Sequence, residues 1–405
     1  MAAGGLRPDR AGRLRGVTVG LLVLLALALA PVILTRNLES ACVNDEWPHF
    51  SACPRYDLAP AEQALQLRAR AVVNPGDVTN YLALALLTAV PGAVEPLDPG
   101  AVLDTATQLG GNDRNLQRVM ASRELAQSDW TAAVRWLARL VQSHRDPVAA
   151  QVMASLMLQP DAHQAVLTAV TTDSKWVGPV LGALGAAKVP VVQAMPLVVS
   201  ALDQGLIRPE QGLDMVRQLK AAGQWQDAHA LWLRLLGRPS PLLYNGGFET
   251  GFERGGFDWE VPSDMAARSG VDVQQPVIAG ANGHVLELNF NGRPLMLPVL
   301  AQPLVLWPGA YTLVGRYKTL NLRAGEGLGW VLNCLPAGGE LARTPALADS
   351  GRKWQSFAAD LVVPDGCAAV TLQLRTTLAS DALAGLRGQI WFDDLQLATR
   401  LAVKQ

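Results

Sequence analysis

The sequence predicts a multidomain chain that runs α and then β, with a transmembrane helix at the N-terminus, an irregular α-solenoid, and a β-sandwich at the C-terminus. Three observations carry that expectation. An uncharged run of 18 residues, Val17 to Leu34, follows an arginine-rich start. Helix-period stretches fill the chain to about Gly237. After Arg238-Pro239-Ser240-Pro241, short alternating runs separated by turns take over. At 405 residues there is room for several cores. Half of the residues are hydrophobic and 17% are charged, with a net charge of -1 at pH 7. A disordered chain would carry more charge and a nucleic-acid binder a basic footprint, so neither class fits.

Residues 1–16 read as a basic cytoplasmic tail carrying Arg7, Arg10, Arg13 and Arg15. Residues 17–35 read as the anchor, whose uncharged run would rise roughly 27 Å, enough to cross a bilayer core. Four arginines before it against Arg36 alone just after it place the N-terminus in the cytoplasm and the bulk of the chain outside. The competing reading is a cleaved signal peptide, since Ala28-Leu29-Ala30 has the small-residue pattern of a cleavage site. Pro31 would obstruct that cut. Arginine exceeds lysine and no Asn-x-Ser/Thr acceptor occurs, which points to a bacterial inner-membrane protein with a periplasmic bulk. The cysteines fall as two local pairs, Cys42 with Cys53 and Cys334 with Cys367, suited to disulfides in an oxidising compartment. Four cysteines permit three pairings, and a reduced, buried state is the alternative. Residues 36–59 form a juxtamembrane loop rich in proline and aromatics; its His49 has no partner at ligand spacing and reads as structural.

Residues 60–237 read as a succession of helices divided by Asn-Pro-Gly, Pro-Gly, Gly-Gly-Asn-Asp, Arg-Asp-Pro and Gln-Pro-Asp breaks. Two of them superpose. Trp130, Ala133, Leu137 and Leu140 recur as Trp225, Ala228, Trp232 and Leu235, one face of an amphipathic helix in each case. An aromatic, a small Ala three later and a large apolar residue four beyond resembles the second helix of a tetratricopeptide repeat, with Leu116–Ala126 as the first helix of the earlier one. The stretch from Pro160 to Lys188 departs from the pattern, so an irregular solenoid is expected rather than a strict array. Such a surface commonly holds protein partners.

Residues 238–242 are a proline-rich linker, and residues 243–400 carry the strands. Expected strands cover His284–Phe290, Tyr311–Tyr317, Ala369–Arg375 and Gln389–Leu397, each beside a turn or a polar boundary. About 160 residues of such strands is a natural size for a jelly roll.

Asn245-Gly246-Gly247-Phe248-Glu249, Trp259, Leu306-Trp307-Pro308-Gly309-Ala310-Tyr311, Trp354-Gln355-Ser356-Phe357 and Ile390-Trp391-Phe392-Asp393-Asp394-Leu395 follow one another in order. Together they resemble the galactose-binding-like jelly rolls of carbohydrate-binding modules, especially families four and nine. The resemblance implies a structural calcium where the opening loop meets the last strand. Glu249 and Asp393 would be its carboxylate ligands, with Asp394 as the alternative to Asp393. A sugar site needs exposed aromatic faces with polar partners. Trp259 and Trp330 are the candidates, with Asn289 and Arg316 beside them, whereas Trp354 and Trp391 are expected in the core.

There is no Gly-x-Ser-x-Gly elbow, no His-Glu-x-x-His and no phosphate-cradling loop followed by Lys-Ser/Thr. The expected protein is therefore a non-catalytic, membrane-anchored periplasmic scaffold that binds protein partners through its helices and a glycan through its jelly roll. Assembly or export of a surface polysaccharide is the setting these domain types fit. The alternatives are a structural protein-interaction module without a sugar site and, more remotely, an enzyme of envelope glycans.

Overall fold

Helix ends in the computed structural model follow the capping chemistry of the sequence. The structure describes residues 59–88, 98–252, 255–261, 270–281, 283–336 and 338–400. The expected anchor at 17–35 and the pair Cys42 and Cys53 lie outside these residues. Among the described residues no helix is long and apolar enough to cross a membrane.

The described residues fall into two compact units that divide between Leu116 and Gln117. The division does not fall at the proline-rich 238–242 segment. In the first unit, α1 (Pro60–Val73) packs on α2 (Val78–Thr88), and α2 packs on α3 (Pro99–Gly110). Asp98 accepts a hydrogen bond from the Gly100 amide and starts α3. Helix α4 (Arg114–Ala126) begins in this unit and runs into the next.

The second unit continues with α5 (Trp130–His144), α6 (Pro147–Leu156), α7 (Pro160–Thr168), α8 (Val177–Gly182), α9 (Met195–Asp203), α10 (Pro209–Ala221) and α11 (Trp225–Leu236). The Arg-Asp-Pro break acts as a stop and a start. Arg145 takes a left-handed conformation that closes α5, and Asp146 accepts from the Val148 and Ala149 amides while Pro147 opens α6. The two superposed helices are α5 and α11. Ala133, Leu137, Leu140, Ala228 and Trp232 are buried, whereas Trp130, Trp225 and Leu235 are half-buried. Helix α5 packs on α6 and α7, and α10 on α11. Helix lengths range from 6 residues in α8 to 15 in α5, and the shortest lies in the Pro160–Lys188 stretch where the repeat pattern lapses.

The strands form two antiparallel sheets. The first has the order β1-β2-β9-β4-β7 and the second β3-β8-β5-β6. Their ranges are β1 Val271–Gln274, β2 Leu286–Asn291, β3 Leu300–Leu304, β4 Gly309–Arg323, β5 Leu328–Leu335, β6 Glu340–Arg343, β7 Gln355–Val363, β8 Ala369–Thr376 and β9 Arg387–Thr399, with a short helix α12 at Ala379–Ala384. Most connections cross between the sheets, as in a jelly roll, and the inward residues of both build one core. All four expected strands are present as parts of β2, β4, β8 and β9. Strands β3 and β5 escape a period-two reading because nearly all of their residues are buried, so no polar alternation marks them. Cys334 and Cys367 form a disulfide, with Cα atoms 5.6 Å apart.

Asn245–Glu249 closes the sandwich. Gly246 accepts from the Leu395 amide at 2.9 Å, which seats the opening stretch against β9. Phe248 is fully buried, and the Trp259 indole N–H donates to the Asn245 carbonyl at 3.0 Å. Helix α11 joins the same body: Trp232 meets Tyr244 edge-on at 5.1 Å and Phe257 at 5.6 Å between ring centroids. Gly256 lies so close to the Trp232 ring that a Cβ there would overlap it, and its φ of 69° also favours glycine. Lys220 of α10 adds a hydrogen bond to the Gly256 carbonyl and an ion pair with Glu260, both under 3 Å.

Candidate functional site

The outward face of the five-stranded sheet is set by alternation along β2, β4, β7 and β9. Strand register lines its side chains into rows. Trp391 on β9 stands between Glu287 on β2 and Lys318 on β4. Gln355 of β7 pairs with Tyr317, so Trp354, one residue earlier, completes the row on the far side of Lys318. The neighbouring row holds Asn289 and Gln389.

The Lys318 ammonium lies 5.2 Å from the Trp354 ring centroid and 5.1 Å from that of Trp391, a cation between two indoles. The Arg316 guanidinium covers Trp354 as well, at 4.9 Å. Both tryptophans are half-buried, and neither indole N–H has a protein acceptor. Burial pushes the Lys318 ammonium below its ordinary pKa range, and the charge of Arg352 pushes the same way. Gln389 donates to Glu287 at 3.3 Å. Below this row lies a groove of ≈ 580 Å³ bordered by Val314, Arg316, Ser356, Ala358, Asp394 and Gln396. Small side chains on β7 leave it open.

The expected sugar residues separate. Trp330 is fully buried and Trp259 is 2% exposed; their centroids are 5.6 Å apart, and Trp330 also meets Phe392 at 5.1 Å. Neither ring can present a face to a ligand, so both are corrected to core residues. The reason is coverage: Trp330 sits on β5, most of whose residues are buried whichever way they point, and Trp259 sits under the opening turn. Asn289 is exposed on the outward face and Arg316 is half-buried there. Trp354 and Trp391, expected in the core, lie on that face instead. The signal that could have found Trp391 is period two: Ile390 and Phe392 point inward, so Trp391 must point outward.

The three acids expected to hold calcium do not fit such an ion. Arg316 reaches Asp393 at 2.6 Å and Asp394 at 2.8 Å, so a guanidinium already supplies the positive charge there. Asp394 adopts a left-handed conformation where β4 and β9 slip register, which turns both carboxylates toward Arg316. Burial pushes the Asp393 carboxyl up, against the Arg316 hydrogen bond that favours its ionised form. Glu249 accepts from the His284 amide at 3.1 Å. Among the described residues no group of three or more His, Cys, Asp or Glu side chains could hold a metal ion.

A second groove, of ≈ 770 Å³, lies among α5, α6 and α8 and is mostly apolar, with Arg145 and Lys175 at its margin and the exposed Val148 on its wall.

No protein-family model matches the chain. No curated protein matches it either. Among solved structures, a CBM4 module is similar at 16% identity over 39% of this chain and 99% of its own, with a TM-score of 0.30. The CBM22-1 xylan-binding domain of Xyn10C from Paenibacillus barcinonensis is similar at 17% identity over 38% of this chain and 91% of its own, with a TM-score of 0.26. A carbohydrate-binding module of Cellvibrio mixtus lichenase 5A, in complex with cellotriose, is similar at 11% identity over 34% and 97%, with a TM-score of 0.20. Likenesses of this size leave both fold and ligand to be argued from the chain's own residues.

Proposed function

We propose that the C-terminal sandwich binds a glycan on the outward face of its five-stranded sheet. The row Trp391–Lys318–Trp354 carries this reading. Two indoles two strands apart stand about 10 Å from each other, a span that suits alternate pyranose rings of one chain, with one ring between them. Asn289, Gln389 and Glu287 supply the amides and carboxylate that hydroxyl groups need, and the groove beside the row gives the polymer a path. The helical region takes a protein partner in this reading, through an acidic segment laid in the groove margined by Arg145 and Lys175. A periplasmic scaffold, held by the anchor at 17–35 and without catalysis of its own, is the whole-protein function that these parts fit.

Binding of the full-length protein to a panel of soluble polysaccharides tests the glycan reading. Trp391→Ala and Trp354→Ala should each weaken the retained glycan by on the order of tenfold, since aromatic contacts and their buried area contribute about 1–2 kcal/mol. Trp307→Ala, exposed elsewhere, should not. A folded protein that retains no member of the panel would leave the structural-module reading in its place.

A further inference from the structure

We infer that the glycan bound on this face is acidic, a polymer bearing carboxylate groups on its sugar rings, and that Lys318 reads that charge. This rests on the glycan reading above and adds the ligand's chemical class.

The inference follows from which charged groups on the face already have a hydrogen-bond or ion-pair partner. Arg316 is engaged by both Asp393 and Asp394. Asp349 accepts from the Thr319 hydroxyl at 2.6 Å, and Glu287 accepts from Gln389 on the far side of Trp391. Among the described residues, no ion pair joins Lys318 to a carboxylate. Its neighbours on the row are two indoles, and Arg352, two residues before Trp354, brings a second positive charge within electrostatic reach. Aromatic faces attract a cation only modestly where water competes. A carboxylate bonded to the ammonium would meet two positive charges at once, in a charge-assisted contact stronger than a neutral one. Sugar rings stacked on Trp354 and Trp391 would hold that carboxylate between them, over Lys318. A neutral polymer would stack equally well and leave the two cations uncompensated.

The test uses the full-length protein, sodium polygalacturonate and alginate, and the same two polymers after reduction of their carboxyl groups to alcohols, titrated at physiological salt. At least one acidic polymer should bind on the order of tenfold more tightly than its reduced form. Lys318→Gln should erase that preference, so that the acidic polymer and its reduced form bind the variant alike. Arg375→Gln, on the other sheet, should leave the preference as it was. Equal binding of acidic and reduced polymers would overturn the inference while the glycan reading stands. A preference that survives Lys318→Gln, or that falls equally with Arg375→Gln, would overturn it too, as a bulk charge effect. Binding of neither form, together with failure of the wider panel, would remove the glycan reading and this inference with it.

Discussion

Four of the five tryptophans between residues 243 and 400 divide into two kinds by what removal would cost. Trp330→Ala would empty a fully buried volume between Trp259 and Phe392. It should destabilise the fold by about 3–5 kcal/mol, read by denaturant unfolding. Trp391→Ala strips a half-buried ring from the surface and should cost much less stability while losing ligand. Lys318 reverses the usual sign. Its folded pKa lies below the unfolded one, because burial and Arg352 both disfavour the charge. The charged lysine therefore opposes folding at pH values below its folded pKa, and that cost fades as pH rises through the unfolded value. Lys318→Gln should leave the melting temperature at pH 7 unchanged or raised, while binding falls. A marked loss of stability would show that the stem of Lys318 packs the indoles rather than offering them a charge. Periodicity shows Trp391 pointing outward, but no sequence pattern shows that Trp354 would lie beside it. Their meeting depends on the register of β4 with both β7 and β9.

At the scale of elements, α11 and the opening turn of the sandwich act together. Trp232 belongs to the repeat-like face of α11, yet its ring is packed by Tyr244 and Phe257, which belong to the other domain by sequence. Gly256→Ala would push a methyl into that ring and strain a left-handed backbone. It should lower stability by more than the roughly 1 kcal/mol that a left-handed backbone alone costs a non-glycine residue, measured as a shift of the denaturation midpoint. Asp146 joins the start of α6 to α4, through its cap bonds and an ion pair with Arg118 at 2.7 Å. Asp146→Ala should cost at least the ~1 kcal/mol of a lost cap. The cap was legible in the Arg-Asp-Pro break, whereas the Arg118 partner, 28 residues away, was not.

For the whole molecule, the Cys334–Cys367 bridge, with a sequence separation of 33, links β5 to the turn just before β8, two strands that are already paired. Loop-closure entropy predicts a stabilisation of about 3–4 kcal/mol, so reduction should lower the unfolding midpoint measurably. Chelation is expected to do nothing of the kind. Because Arg316 neutralises Asp393 and Asp394, EDTA should leave the melting temperature unchanged, and a fall restored by added calcium would overturn that account. Helices in the second unit and the sandwich share contacts through Trp232 and Lys220, so cutting the chain at 238–242 would expose Phe257 and Tyr244. A fragment beginning at Leu243 is expected to melt below the full-length protein.

The sequence by itself determined the order of helix and strand, the caps that divide the helices and four of the strands, and it offered the bridge between Cys334 and Cys367 as one of three pairings. Each of these depends on neighbours within a few residues or on a repeating period, and such information is written along the chain. Only the tertiary structure decided which tryptophans are core, that Arg316 bonds both Asp393 and Asp394, and that Lys318 lies between two indoles. Those outcomes depend on strand register, and register sums contacts between residues as distant in sequence as Gln389 and Glu287, 102 positions apart. A local pattern cannot carry that sum.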